Sequence, residues 1–171
     1  MVSVRPVQPA DAPAIAAIYA HHVLTGTGTF DTVPPDAAFW KAKIAAITAK
    51  DWPFLVAELE GEVAGYCYAA QLRERPAYAP ACEDSIYVRE DMLGAGVGTR
   101  LLGALIEAAR TAGFEQMVAV IGGGGAGSVA LHSKLGFVEV GRLRDVGFKF
   151  GRYLDSVYMQ RSLRNPASNK A

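Results

Sequence analysis

Val88-Arg-Glu-Asp-Met-Leu-Gly94-Ala-Gly96-Val-Gly98-Thr99-Arg-Leu-Leu102 is the stretch whose reading decides the fold. Ser85 to Val88 before it reads as a short strand. Leu101, Leu102, Leu105, Ile106 and Ala109 then recur at helical spacing until Gly113 ends the helix. The three alternate glycines let the backbone approach a ligand and leave the first helical N–H groups pointing outward. With a helix dipole behind them, such groups attract an anion, typically a phosphate or pyrophosphate. A dinucleotide loop would need glycine at position 99 near an early βαβ unit, whereas Thr99 stands there in mid-chain. A nucleotide P-loop would need a Gly-Lys-Ser/Thr ending, which is absent. A bare strand-to-helix turn and a pyrophosphate site of another kind both remain open.

Working outward, Val2 to Val7 alternates like a strand, and Asp11 is expected to cap a helix carrying Ile15, Ile18 and Tyr19 on one face. Gly26 to Pro35 is turn-rich. Asp36 caps a second helix to about Ala49, with Phe39, Trp40, Ile44 and Ile47 as its apolar stripe. Phe54 to Leu59 and Val63 to Ala70 form a hairpin around Glu60-Gly61-Glu62, and Gln71 to Ala81 is a loop. Met117 to Ile121 is a strand, Gly122 to Gly125 a glycine run, and Ser128 opens a short helix closed by Gly136. Phe137 to Val140 and Ser156 to Met159 supply the last strands, and residues from 164 on read as a disordered tail. Strands and helices in this order predict a mixed α/β sheet in one domain, residues 1–163.

The 171 residues are enough to bury a core without disulfides. Lys plus Arg and Asp plus Glu both number 17, a balance that argues against nucleic acid as the partner. Cys67 and Cys82 form no C-x-x-C pair, and no histidine is spaced with them as a zinc ligand, so no metal is expected. No apolar run approaches the roughly 20 residues of a membrane span, and no signal peptide is apparent, so a cytoplasmic location is expected.

The glycine stretch resembles the acetyl-CoA motif Q/R-x-x-G-x-G/A of the GNAT acetyltransferases. Ser128-Val-Ala-Leu-His132-Ser-Lys-Leu-Gly136-Phe137 resembles their second signature, at the usual separation from the first. Within that superfamily, Cys82-Glu83-Asp84-Ser85-Ile86-Tyr87-Val88 is similar to the Val-Glu-x-Ser/Thr-Val-Tyr-Val of the phosphinothricin and methionine sulfoximine acetyltransferases. Gly147-Phe-Lys149-Phe-Gly151-Arg-Tyr153-Leu-Asp155 is similar to their G-x-K-x-G-x-W/Y-x-D segment. The likeness runs from the first strand to Arg161.

The resemblance implies an α/β (α+β) fold, a central mixed, mostly antiparallel twisted sheet flanked by helices, in a homodimer. It implies transfer of an acetyl group from acetyl-CoA to the amine of a small amino-acid-like molecule. Such an amine is mostly protonated at neutral pH, so a base is needed, and the family's catalytic carboxylate falls on Glu83. His132 falls where many GNAT enzymes carry a tyrosine that protonates the leaving thiolate. The strand Ile86, Tyr87 and Val88 is expected to pair with the pantetheine amides and to offer an N–H to the thioester oxygen. Leu93, Gly94, Ala95, Gly96, Val97, Gly98 and Thr99 are expected to cradle the pyrophosphate, with Gly125 and Ser128 beside the coenzyme. Arg73, Arg75 and Tyr78 match basic and aromatic positions of the substrate loop, and arginine forks suit a carboxylate or phosphinate. Phe30 corresponds to an apolar wall of that pocket, while Lys149 and Tyr153 close its far side, from the same or a neighbouring subunit. His21 and His22 read as ordinary helix residues.

Four positions, in three places, depart from the family pattern. Leu93 stands in place of Gln or Arg, Gly125 in place of Asn, and Asp31 and Val33 in place of Arg and Glu. Two other functions share the fold: acetylation of a protein N-terminus or lysine, and a coenzyme-binding sensor without turnover. No acidic peptide groove is apparent for the first, and Glu83 with a full substrate loop argues against the second.

Overall fold

The computed structural model describes residues 1–164, so the expected tail lies, apart from Arg164, outside the described residues. The strands are β1 (Ser3–Pro6), β2 (Phe54–Leu59), β3 (Glu62–Gln71), β4 (Ala81–Val88), β5 (Gln116–Gly122), β6 (Val138–Lys149) and β7 (Arg152–Ser162). The helices are α1 (Ala12–Thr25), α2 (Ala37–Thr48), α3 (Val97–Thr111) and α4 (Ala126–Lys134). All seven strands lie in one sheet in the order β1-β2-β3-β4-β5-β7-β6. Only β4 and β5 run parallel, because α3 must cross over between them; every other pair is antiparallel. Arg164 is tied down by Glu115 at 2.7 Å.

Helices cover both faces. On one, Leu101, Leu102 and Leu105 of α3 pack on Cys67, Cys82 and Met117 of the sheet. On the other, Ile15 of α1 and Trp40 and Ile44 of α2 meet Phe54, Val56 and Tyr66. Asp36 caps α2 as expected, its carboxylate accepting the Phe39 N–H at 2.8 Å. Phe39 leaves the expected stripe, however, and stays half exposed beside Trp40. Asp11 also departs from expectation. Its carboxylate accepts no N–H from α1, but takes the Gln8 N–H and a two-pronged contact from Arg5.

Three strands are clearly longer than the pattern predicts, among them β7, which spans eleven residues where Ser156 to Met159 is expected. β4 begins four residues early, at Ala81, because pairing with β3 carries its polar Glu83 and Asp84 along. β6 runs twelve residues with two register shifts, and a two-residue turn joins it to β7. Phe150 and Gly151 in that turn both have positive φ, 52° and 72°, the geometry that matches the twist of a hairpin. The Gly147–Asp155 segment is therefore strand and turn.

At Gly65 the α3 layer closes on the sheet. A Cβ there would lie 2.9 Å from the Tyr87 carbonyl oxygen and 3.1 Å from Leu101 Cδ1. Gly65→Ala is expected to destabilise the fold by about 1–3 kcal/mol through overpacking, measured by denaturant unfolding.

Candidate active site

The parallel pair β4–β5 matches over four positions only, from Ala81↔Gln116 to Asp84↔Ala119. Beyond Asp84, β4 stays with β3 as far as Val88, and β5 stays with β7 as far as Gly122. Twist carries the two strands apart, and a cleft of about 730 Å³ opens in the fork. The Arg89 N–H reaches the Ala64 carbonyl of β3, so by alternation Ile86 and Val88 turn their backbone groups toward the fork. Tyr87, expected with them, turns its backbone to β3. Its side chain sits among Tyr19, His22 and Tyr66.

The mouth of the cleft is the glycine stretch. Gly94 and Gly96 have φ of 80° and 81°, which a side chain would resist, and nothing lies within 4 Å of a Cβ at either. Gly96 is the N-cap of α3, with no side-chain cap and no acidic residue in the first turn. The N–H groups of Val97, Gly98 and Thr99 are thus left for an anion. Leu93, Gly125 and Ser128 line the same cleft, with Leu93 well exposed at the rim. The fit to a phosphate-bearing, amide-containing coenzyme rests on this backbone cradle and the open strand edge.

Alternation sends Glu83, Ser85 and Tyr87 to the α1–α2 face, and Cys82, Asp84 and Ile86 to the α3–α4 face. Glu83 lines the cleft with its side chain 36% exposed, and Arg73 lies 3.9 Å away. Burial pushes the Glu83 carboxyl above its ordinary value; Arg73 opposes the rise, Asp84 adds to it, and Lys43 opposes it. Lys43, which the sequence reading passed over, sits 4.8 Å above the Tyr68 ring. Its place on a helical stripe beside Trp40 disguised it as a solvated residue. Arg75 is exposed, and Tyr78 is 40% exposed in the turn after it.

His132 is 2% exposed. Its Nδ1 lies 2.7 Å from the Ser128 carbonyl oxygen and its Nε2 3.0 Å from Asp84 Oδ2. Both nitrogens are therefore engaged inside the protein, which removes the free ring N–H expected of a donor to a leaving thiolate. His22 is the second residue that sequence reasoning missed. It lines the cleft and donates from Nε2 to the Val88 carbonyl at 2.8 Å. Burial lowers its pKa, the Val88 bond partly offsetting this, so it acts as a neutral donor.

The loop after α1 lies against the end of β5 and the β6–β7 hairpin. Lys149 Nζ donates to the Gly26 carbonyl at 2.8 Å and the Thr29 carbonyl at 3.0 Å. Burial pulls the ammonium below its ordinary value, partly offset by Asp31. Lys149 is thus a staple for the loop rather than a free contact to substrate. Phe30 lies against Gly122 and Gly147, where a Cβ would come within 3.0 Å and 2.6 Å of its ring. Asp31 accepts the Tyr19 hydroxyl at 2.6 Å. Tyr153 is 68% exposed on the hairpin, against Phe148 and away from this cleft.

A family model for the acetyltransferase (GNAT) domain matches residues 4–158. The chain belongs to the GNAT acetyltransferase family. Among its relatives, phosphinothricin N-acetyltransferase of Alcaligenes faecalis is 47% identical over 162 residues, 94% of this chain and 82% of that protein. The L-methionine sulfoximine/L-methionine sulfone acetyltransferase of Pseudomonas paraeruginosa is 42% identical, covering 94% of each chain. A crystal structure of a GNAT phosphinothricin acetyltransferase from Sinorhizobium meliloti in complex with acetyl-CoA superposes with a TM-score of 0.92 at 41% identity, covering 94% of this chain and 88% of that one. The GNAT fold read from the glycine stretch is therefore the fold of this chain, and the family likeness extends over nearly all of it.

Removing the staple leaves two buried carbonyls without a donor. Lys149→Met is expected to destabilise the protein by about 1–3 kcal/mol in thermal or denaturant unfolding. It should also raise KM for the acceptor more than KM for the acetyl donor.

Proposed function

We propose that this chain transfers the acetyl group of acetyl-CoA to the amino group of a small amino-acid-like acceptor of the phosphinothricin or methionine sulfoximine type, with Glu83 as general base. The observation that carries the reading is the fork, where an unpaired strand edge leads from a glycine cradle directly to a half-buried glutamate. Relatives named for those two acceptor types, matched over nearly the whole chain, support the choice of substrate class.

In this reading Val97, Gly98 and Thr99 hold the pyrophosphate by their N–H groups, beside Leu93, Gly94, Ala95 and Gly96. Ile86 and Val88 pair with the pantetheine amides, and one of their N–H groups stabilises the charge that develops on the thioester oxygen. When bound, acetyl-CoA supplies an activated acyl group with a thiol leaving group. Gly125 and Ser128 border the coenzyme from α4. The acceptor enters on the α1–α2 face, where Phe30 forms an apolar wall. Arg73, with Arg75 and Tyr78 in the same loop, meets the acceptor's carboxylate. Glu83 takes a proton from the acceptor's ammonium, directly or through water, so that the neutral amine can attack, and its raised pKa brings it closer to the working pH. The second proton that the nitrogen loses goes to the departing thiolate.

The same reading makes the protein a homodimer of single-domain chains, residues 1–163, in the cytoplasm. Edge strand β6 and its turn support the dimer, since Val140, Leu143, Val146, Phe148 and Phe150 are all exposed there. Two unpaired buried cysteines support the reducing compartment. Among the described residues no helix is long and apolar enough to cross a membrane.

Release of coenzyme A thiol from acetyl-CoA, measured against phosphinothricin, methionine sulfoximine, methionine sulfone, polyamines, aminoglycosides and a short peptide, tests the function. Saturable release with one of the first three is expected; release only with the peptide would overturn the substrate class. Glu83→Gln should lower kcat by about 10²–10⁴-fold while leaving acetyl-CoA binding intact. Because the base must be ionised, kcat/KM of the wild type should fall as pH drops through the raised Glu83 value. That acid limb should lie above the ordinary glutamate range. Leu143→Glu with Phe148→Glu should shift the mass measured by light scattering from two chains to one.

A further inference from the structure

His132 is a buried imidazole with the Ser128 hydroxyl 3.4 Å from Nδ1 and, closer on its two nitrogens, two partners that can only accept: the Ser128 carbonyl at 2.7 Å and the Asp84 carboxylate at 3.0 Å. Neither partner has a proton to give, so both contacts are hydrogen bonds only when both sites carry protons. The proton between Nε2 and Oδ2 belongs to the ring, because imidazole is a stronger base than a carboxylate. Without it, one contact sets lone pair against lone pair. The position is as telling as the chemistry. Asp84 is the last residue of β4 paired with β5, at the apex of the fork. Ser128 lies in the first turn of α4, on the opposite wall of the cleft.

We propose that Asp84 is a positioning residue which, through a doubly protonated His132, clamps the first turn of α4 against β4 and so sets the width of the coenzyme cleft. The inference rests on the acetyl-CoA reading above. It removes His132 from proton transfer, because both of its protons are committed to the clamp. Asp84 and His132 side chains are each 2% exposed, and among the described residues the second Asp84 oxygen, Oδ1, has no hydrogen-bond partner. A carboxylate buried with an oxygen unsatisfied is held there by what its other oxygen does.

Other groups packed around the pair do not compete for this proton. Cys82 on β4 and Cys67 on β3 share the face of Asp84, and burial together with its charge pushes both thiols up, Cys82 to about 12. The Phe137 ring meets His132 edge-on at 5.0 Å. On α4 itself Lys134 borders the cleft, and Arg161 of β7 donates to the Leu135 carbonyl just beyond. Burial alone would lower the His132 value, but the bond and charge of Asp84 and the Ser128 carbonyl outweigh it and leave it raised. The clamp is therefore closed below that raised value and opens as pH climbs through it.

The test is calorimetric titration of the full chain with acetyl-CoA at pH 7 and pH 9.5, without acceptor. Asp84→Asn is the reference for every other pH effect, because its amide can donate to the Nε2 of a neutral ring while Nδ1–H keeps the Ser128 bond. Wild-type affinity is expected to fall roughly tenfold between the two pH values, and the Asp84→Asn variant by less than about twofold. Asp84→Ala should bind weakly at both; should it not fold, the other two proteins still decide. Nitrogen-15 shifts of His132 should report an imidazolium at pH 7. A flat wild-type profile, an equally steep one in Asp84→Asn, or a neutral ring at pH 7 would overturn the clamp alone. Absence of acetyl-CoA binding at pH 7 would overturn the coenzyme reading and the clamp with it.

Discussion

The short pairing between the two parallel strands is the constraint from which the rest of the site follows. β4 and β5 share a ladder only as far as Asp84 and Ala119, and each then follows its own outer neighbour. A continuous ladder would satisfy every backbone group and leave no room for a ligand. The early separation leaves the Ile86 backbone groups and the Val88 N–H facing an open wedge, while the Val88 carbonyl is taken by His22, and such groups are costly to bury unpaired. The wedge is thus built to be filled by something that carries amides of its own.

Around that wedge, the period of two along β4 divides the labour. Successive side chains point to opposite faces, so Glu83 meets the α1–α2 side while its neighbour Asp84 reaches the α4 side. One strand therefore supplies the open edge of the cleft, a half-buried carboxylate on one face and the bond to His132 on the other. The loop after α1 is fixed with similar economy. It lies down on glycines because nothing larger than a hydrogen fits beneath Phe30 at Gly147 or beneath Thr27 at Gly123. Lys149 then fixes its carbonyls from the hairpin.

The fold was legible because its decisive signals are local. The glycine spacing before an amphipathic helix, the Glu60-Gly61-Glu62 hairpin and the Asp36 cap each need only neighbouring residues, and each is found where the sequence puts it. The misread elements are those whose pattern is set by distant partners. Asp11 reads as a helix cap until Arg5 and Gln8 take its carboxylate. β6 does not read as a long strand, because its apolar residues face outward and its alternation is broken by register shifts.

The candidate site divides along the same line. Sequence alone determined the family and the glycine-rich entry to α3, since these are fixed by residue type and spacing within single elements. Tertiary structure alone decided that Lys149 is a staple, that Tyr153 lies outside this cleft, that His22 lines it, and that His132 is held by Asp84. Those roles depend on hydrogen bonds between groups 48 to more than 120 residues apart. A lysine or histidine looks the same in a sequence whether its protons face a substrate or a carbonyl across the fold. Only the packing of α4 and the hairpin against the sheet brings the competing acceptors within reach.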